Sequence, residues 1–170
     1  MMSTTTTTTE GVEQATAVKC VTDDKIGRED RGALLCCHEP AYADYLAAKL
    51  REMGYKLHWG AGHADAIHRL AARSYHVTVV LENLEGCALA HNTLLEYLAD
   101  LPTDQRRATY VVLLCQSFNT GDELEAYAHS VDQVISYQDI SQFESLVAPA
   151  LEEHEEGNHH FVTVAARLAG

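Results

Sequence analysis

Two apolar rhythms alternate along residues 32–151. Residues 33–37, 76–81 and 109–115 are apolar at nearly every position, the pattern of strands buried on both faces of a sheet. Residues 56–59 and 133–136 are shorter and half polar, which suits edge strands. Between these runs the spacing changes to that of helices. Leu46, Leu50 and Met53 recur at i, i+4, i+7 and stop at Gly54, a C-cap residue. Ala64, Ile67, Leu70 and Ala71 predict a second inward face, and Leu94, Leu95, Leu98 and Leu101 a third, stopped by Pro102; residues 82–87 read as a loop.

Two capping boxes punctuate the last third. Thr120 with Glu123 predicts a helix that turns Leu124, Tyr127 and Ala128 inward, and Ser141 with Glu144 predicts another with Phe143, Leu146, Val147, Ala150 and Leu151 inside. Pro149 is expected to kink that helix. The acidic stretch 152–156 and Gly157 then read as a linker, with Asn158 capping a last helix whose Phe161, Val164, Ala165 and Leu168 share a face.

Five β/α units with right-handed crossovers make a doubly wound α/β domain. Its expected core is a five-stranded parallel sheet in flavodoxin-like order, 2-1-3-4-5, with an extra C-terminal helix. The expected organisation is a flexible amino-terminal arm over residues 1–31, a domain over 32–151, and an acidic linker and helix over 152–170. The arm carries a run of six threonines and little apolar periodicity, so residues 1 to about 28 are expected to be dispensable for folding.

Composition narrows the class. At 170 residues, with 46% hydrophobic and 22% charged, the chain can bury a real core. No apolar run approaches the roughly 20 residues of a membrane span, and the amino terminus lacks the pattern of a secretory signal, so the expected compartment is the cytoplasm. Five cysteines without a C-x-x-C pair suit a reducing environment. The formal net charge is −13, and residues 116–170 hold ten acidic residues against one basic, Arg167. Nucleic acid is excluded as an expected partner, because phosphate contacts need clustered Lys and Arg. The acidic face is either a solubilising surface or a docking face for a basic protein; a homodimer is the further option.

In a doubly wound sheet, chemistry gathers at the carboxyl ends of the strands. Cys37, His38 and Glu39 follow the first strand, Glu82 the third, and Cys115 ends the fourth. Cys37, His38 and Cys115 share that edge and offer three ligands for a metal or thiol site. A zinc site would want three or four well-placed ligands, and no third group is placed to orient a Cys-His pair. Small buried cysteines and an exposed loop histidine are the plainer expectation. His154, His159 and His160 beside the acidic stretch read as solvated, and Tyr110, Tyr127 and Phe143 as core. No cofactor, resident metal or catalytic set is expected.

The spacing over residues 32–151 resembles the receiver domain of bacterial response regulators. The resemblance rests on the first strand with its polar pair and Pro40, on Gly62-His63-Ala64-Asp65-Ala66 opening the second helix, on residues 75–81 at strand three, and on the run from Ala126 to Ile135. Residues 118–131 further resemble a bacterial group of receiver-like proteins that often carry an amino-terminal zinc ribbon. Only Cys20 precedes the domain here, so no ribbon is expected. A working receiver holds magnesium on two acidic residues, phosphorylates an aspartate, and reads the phosphate with a hydroxyl and a lysine. The resemblance places the acidic pair on Cys37 and His38, the acceptor on Leu81, the hydroxyl on Cys115 and the lysine on Tyr137, with Gln138 where proline is usual. Leucine has no oxygen to phosphorylate, and a thiol and an imidazole are poor ligands for a hard cation. The implied function is that of a pseudo-receiver, a non-enzymatic adaptor acting by protein contact. Two alternatives remain: a metal- or thiol-based sensor or enzyme using Cys37, His38 and Cys115, and a register shifted by one residue, which would put Glu82 at the acceptor position with Glu39 as a residual acidic ligand.

Overall fold

The computed structural model describes residues 22–170. The apolar runs become β1 (Gly32–Cys36), β3 (Val77–Leu81) and β4 (Tyr110–Cys115), every residue of them buried. With β2 (Lys56–Trp59) and β5 (Gln133–Ser136) they form one parallel sheet in the order β2-β1-β3-β4-β5. Alternation along each strand divides the core in two. Leu35, Val79, Leu81, Val112 and Leu114 face α1 (Pro40–Glu52) and α6 (Phe143–Ala169). Leu34, Cys36, Val80, Leu113 and Cys115 face α2 (His63–Ala72), α3 (Thr93–Ala99) and α5 (Glu123–Ala128). The α1 stripe is as expected, and Gly54, at φ +92°, makes the left-handed turn after it that a side chain would resist. No helix of the described residues is long and apolar enough to cross a membrane.

Six local readings need correction. The expected free arm falls mostly on residues 1–21, outside the described residues, but its remainder is docked. Asp24 accepts from Leu57 N–H at 2.8 Å and its own N–H donates to Leu57 O at 2.7 Å, Asp23 accepts from Trp59 N–H at 2.8 Å, and Ile26 packs on the core. This stretch covers the open edge of β2, whose unpaired backbone groups would otherwise face water. Burial pushes the Asp24 carboxyl up, but hydrogen bonds from Arg51 and Leu57 N–H outweigh it and hold it below the usual range. A depressed folded pKa gives stability that is present above the unfolded pKa and fades as pH falls through the folded one. Asp24→Asn should therefore cost roughly 1 kcal/mol at pH 7, and its melting temperature should converge on the parent's as pH falls below the usual carboxylate range.

The Thr120 box does not cap. Its hydroxyl donates to Asp139 at 2.6 Å and accepts from Ser136 N–H at 2.9 Å, which leaves Asp122 to cap α5 by accepting from Glu125 N–H. The helix starts later than the box implied and spans six residues, so it buries Ala126 and leaves Leu124, Tyr127 and Ala128 exposed. Ser141 does not cap either: residues Tyr137–Gln142 form a 3-10 turn entered through Ser136, and Gln142 precedes α6 without a side-chain bond. In α2, Ala66 and His63 are buried, Ile67 and Leu70 partly so, and Ala64 and Ala71 exposed. Beyond Pro102 the chain restarts as α4 (Thr103–Ala108), which no apolar stripe announced.

The last correction is the largest. Residues 152–157 are not a linker, and Asn158 does not cap a new helix: α6 runs unbroken through Pro149 and Gly157 to Ala169. A glycine inside a helix costs about 1 kcal/mol. Contacts that hold both flanks to the domain offset it. Glu155 pairs with Arg31 and accepts from Tyr55, the His154 ring meets Tyr110 edge-on at 5.2 Å, and Asn158 Nδ2 donates to Arg107 O. The expected extra helix is thus the continuation of α6.

Candidate functional site at the carboxyl edge of the sheet

The residues singled out after β1, β3, β4 and β5 do converge on one edge, because parallel strands in register end together. Their side chains have unlike surroundings. Leu81 is fully buried among the residues facing α1 and α6. The Cys37 side chain lies in the same layer, and its carbonyl accepts from Trp59 Nε1 at 3.1 Å. Burial pushes the Cys37 thiol up to about 11, so it is neither a ready nucleophile nor a ready metal ligand. Cys115 belongs to the opposite layer, its thiol also raised by burial and directed at the carbonyls of Phe118 and Ile135. His38 stands half-exposed with Glu39 carboxylate 3.9 Å from Nε2.

Cys37, His38 and Cys115 therefore share an edge but not a site, since the sheet separates the two thiols. Among the described residues, no three His, Cys, Asp or Glu side chains converge as metal ligands would. The thiol or metal alternative gains nothing from the geometry.

What does occupy the edge is a set of neutral and carboxylate contacts. Tyr137 stacks on Tyr42 with ring centroids 5.2 Å apart, and its hydroxyl reaches Asn83 Oδ1 at 3.4 Å. The stack joins the start of α1, the loop after β3 and the turn after β5. Burial and the neighbouring Glu82 raise the Tyr137 phenol, so it is a neutral donor where a lysine would be a cation. Glu82, one residue beyond Leu81, turns outward and receives Ser117 Oγ–H at 3.1 Å, with Ser117 N–H at 3.5 Å. Ser117 was not singled out from the sequence. Two polar residues after an apolar strand carry no sign of which one faces the neighbouring strand's acid.

Nearby, the Glu85 carboxylate receives His63 N–H at 2.8 Å at the amino terminus of α2 and lies 2.9 Å from His63 Nδ1. Glu85 itself sits at φ +56°, and a Cβ at Gly62 would lie 2.4 Å from its carboxylate. Glycine at 62 is what allows the acid to seat on the helix end.

No family model matches this chain, and no curated protein matches it. Solved structures do. A response regulator receiver domain from Methanospirillum hungatei aligns with TM-score 0.61 at 13% identity, covering 76% of this chain and 99% of its own. The receiver domain of an HD domain-containing protein from Pseudomonas fluorescens gives 0.57 at 18%, covering 82% and 98%. The receiver domain of a sensor histidine kinase from Pseudomonas aeruginosa, solved with magnesium in its active-site cleft, gives 0.58 at 14%, covering 72% and 98%. This chain has the receiver fold. A whole receiver is matched by roughly three quarters of this chain, so the rest is added to the receiver fold. At such identities the likeness describes the fold, and function must be argued from the side chains at the carboxyl edge.

Proposed function

We propose that this chain is a phosphorylation-incompetent receiver-like module, a non-enzymatic signalling adaptor that acts by binding protein. The observation that carries the reading is Leu81: it is fully enclosed in the core at the end of β3, where the receiver resemblance calls for a solvent-facing carboxylate. Three neighbours support it. Cys37 is buried and protonated where magnesium would need an oxygen ligand, Tyr137 is an uncharged phenol in the lysine position, and Tyr42 stacks over that phenol.

The Glu82–Ser117 hydrogen bond suits a permanent state of such a module. A carboxylate at the end of β3 holding a hydroxyl at the end of β4 ties the two loops without any phosphoryl group. The surface then available for partners is the acidic one around α5, β5 and α6, where ten of the 25 acidic residues fall after residue 115. Such a face suits a basic partner surface.

Incubation with acetyl phosphate and magnesium should leave the intact mass unchanged. An acyl-phosphate adduct that disappears in Glu82→Gln would overturn the reading and establish the shifted register instead.

A further inference from the structure

A cavity of about 500 Å³ opens at the amino ends of the strands, the opposite edge of the sheet from Leu81 and Tyr137. Its size falls within the roughly 300–1,000 Å³ usual for small-molecule sites. The sheet contributes Arg31, just before β1, and His76, just before β3, and α4 contributes Asp104, Arg107 and Ala108. The remaining wall is α6 beyond residue 151, from His154 to Val162. That stretch lies outside residues 32–151, the span that resembles a receiver. The cavity is therefore a product of the unbroken helix.

The polar groups of the cavity differ in what they have left to offer. Glu155 is already neutralised: it pairs with Arg31 and accepts from the Tyr55 hydroxyl at 3.3 Å, and the Arg31 guanidinium lies over the Tyr55 ring. Gly32 N–H donates to His76 Nδ1 at 3.1 Å, so the neutral ring carries its proton on Nε2. That N–H has no acceptor among the described residues. Arg107 is braced by α6, its guanidinium 4.6 Å from the centre of the Phe161 ring and its carbonyl accepting from Asn158 Nδ2. Among the described residues no carboxylate pairs with that guanidinium. The chain has 25 acidic residues against 12 basic ones, so an arginine held in place without an acid is a receptor kept open for an outside anion. Ala108, Phe161 and Val162 add an apolar wall beside it.

We infer that this cavity binds a small monocarboxylate with an apolar body. The carboxylate takes the Arg107 fork and His76 Nε2–H, two donors in one cavity that otherwise lack acceptors, and the body lies on Phe161, Val162 and Ala108. A guanidinium fork matches the two oxygens of a carboxylate, and such charge-assisted hydrogen bonds are strong. Asp104 sets the limit on charge. It lines the same cavity and pairs with no cation among the described residues, so a second negative charge on the ligand would be repelled. A singly charged acid fits where a phosphate does not. An apolar body also gives cover to Phe161 and Val162, which the folded chain leaves 45% and 65% exposed. The ligand touches α4 and α6 at once, so occupancy fastens the far turns of α6 to the domain. The inference is independent of the proposed function, which rests on Leu81 at the opposite edge.

The test is isothermal titration calorimetry of the full chain with 3-phenylpropanoate and with octanoate. At least one of the two acids should bind one to one, and its primary amide should bind roughly tenfold more weakly or worse. Arg107→Gln and, separately, Val162→Asp should each weaken binding by roughly tenfold or more, whereas Asp104→Asn should tighten it about threefold. All three positions are exposed, so the circular dichroism spectra should match the parent's. Bound acid should also slow amide exchange over residues 154–162. Failure of both acids to bind would overturn the proposal, as would an amide that binds as tightly as its acid or an Arg107→Gln variant that binds like the parent. Displacement of the acid by an equal concentration of inorganic phosphate would overturn it too, by showing a plain anion site. Acyl-phosphate formation would refute the proposed function and leave these titrations unchanged.

Discussion

Leu81→Asp will not restore a phosphoacceptor; it will cost the fold roughly 3–5 kcal/mol, a loss of the size seen when a buried leucine is cut back and a polar group is left in its place. Leu81 has no exposed surface, pairs with Leu114 across the sheet, and packs in the layer closed by α1 and α6. A carboxylate there has lost its water, and the position where the receiver resemblance calls for a lysine holds the uncharged phenol of Tyr137. Burial would raise the introduced carboxyl's pKa above its unfolded value. The folded variant then binds more protons than the unfolded chain, so its deficit should shrink as pH falls toward that raised pKa and be largest at neutral pH. Urea denaturation at pH 7 and pH 5, with acetyl phosphate added in parallel, checks both halves. A variant as stable as the parent that accepts phosphate would mean that the carboxyl edge is open in solution.

Phe143→Ala should be as costly, at roughly 3–5 kcal/mol, and should reach further along the chain. Phe143 is fully buried at the root of α6, with Val147 and Leu151 one and two turns on, and the helix continues from there without a break. The polar contacts farther along, Glu155 with Arg31 and Asn158 with Arg107, depend on where that root is seated. Loosening it should therefore raise amide exchange as far as residue 158, some four turns away. Had residues 152–157 been a linker, faster exchange would stop before them, so hydrogen exchange of Phe143→Ala against the parent separates the two arrangements.

Much of the framework was legible in the sequence for a simple reason. Strands buried on both faces must be apolar throughout, and helices on a sheet must repeat their apolar residues every three or four positions, so β1 to β5 and the inner stripes of α1 and α3 follow from local chemistry alone. Their carboxyl ends were legible too, with Cys37, His38 and Cys115 at that edge, whereas Leu81 and Tyr137 drew notice only through the receiver resemblance. Capping was not. Thr120 and Ser141 have the right spacing for a box, but a hydroxyl takes whichever partner the fold brings nearest, and for Thr120 those partners are Ser136 and Asp139, 16 and 19 residues away.

What the sequence determined by itself is the element order, the division of strands into central and edge, and the absence of an oxygen nucleophile at Leu81. What only the tertiary structure decided is where side chains at one edge point. Cys37 and Cys115 ended on opposite faces because successive residues of a strand alternate and the register between strands fixes which face each reaches. The pairing of Glu82 with Ser117, the continuation of α6 through Gly157, and the exposure of Leu124 and Tyr127 were decided in the same way. Each depends on contacts between residues distant in the chain, and helical or strand periodicity carries no record of those.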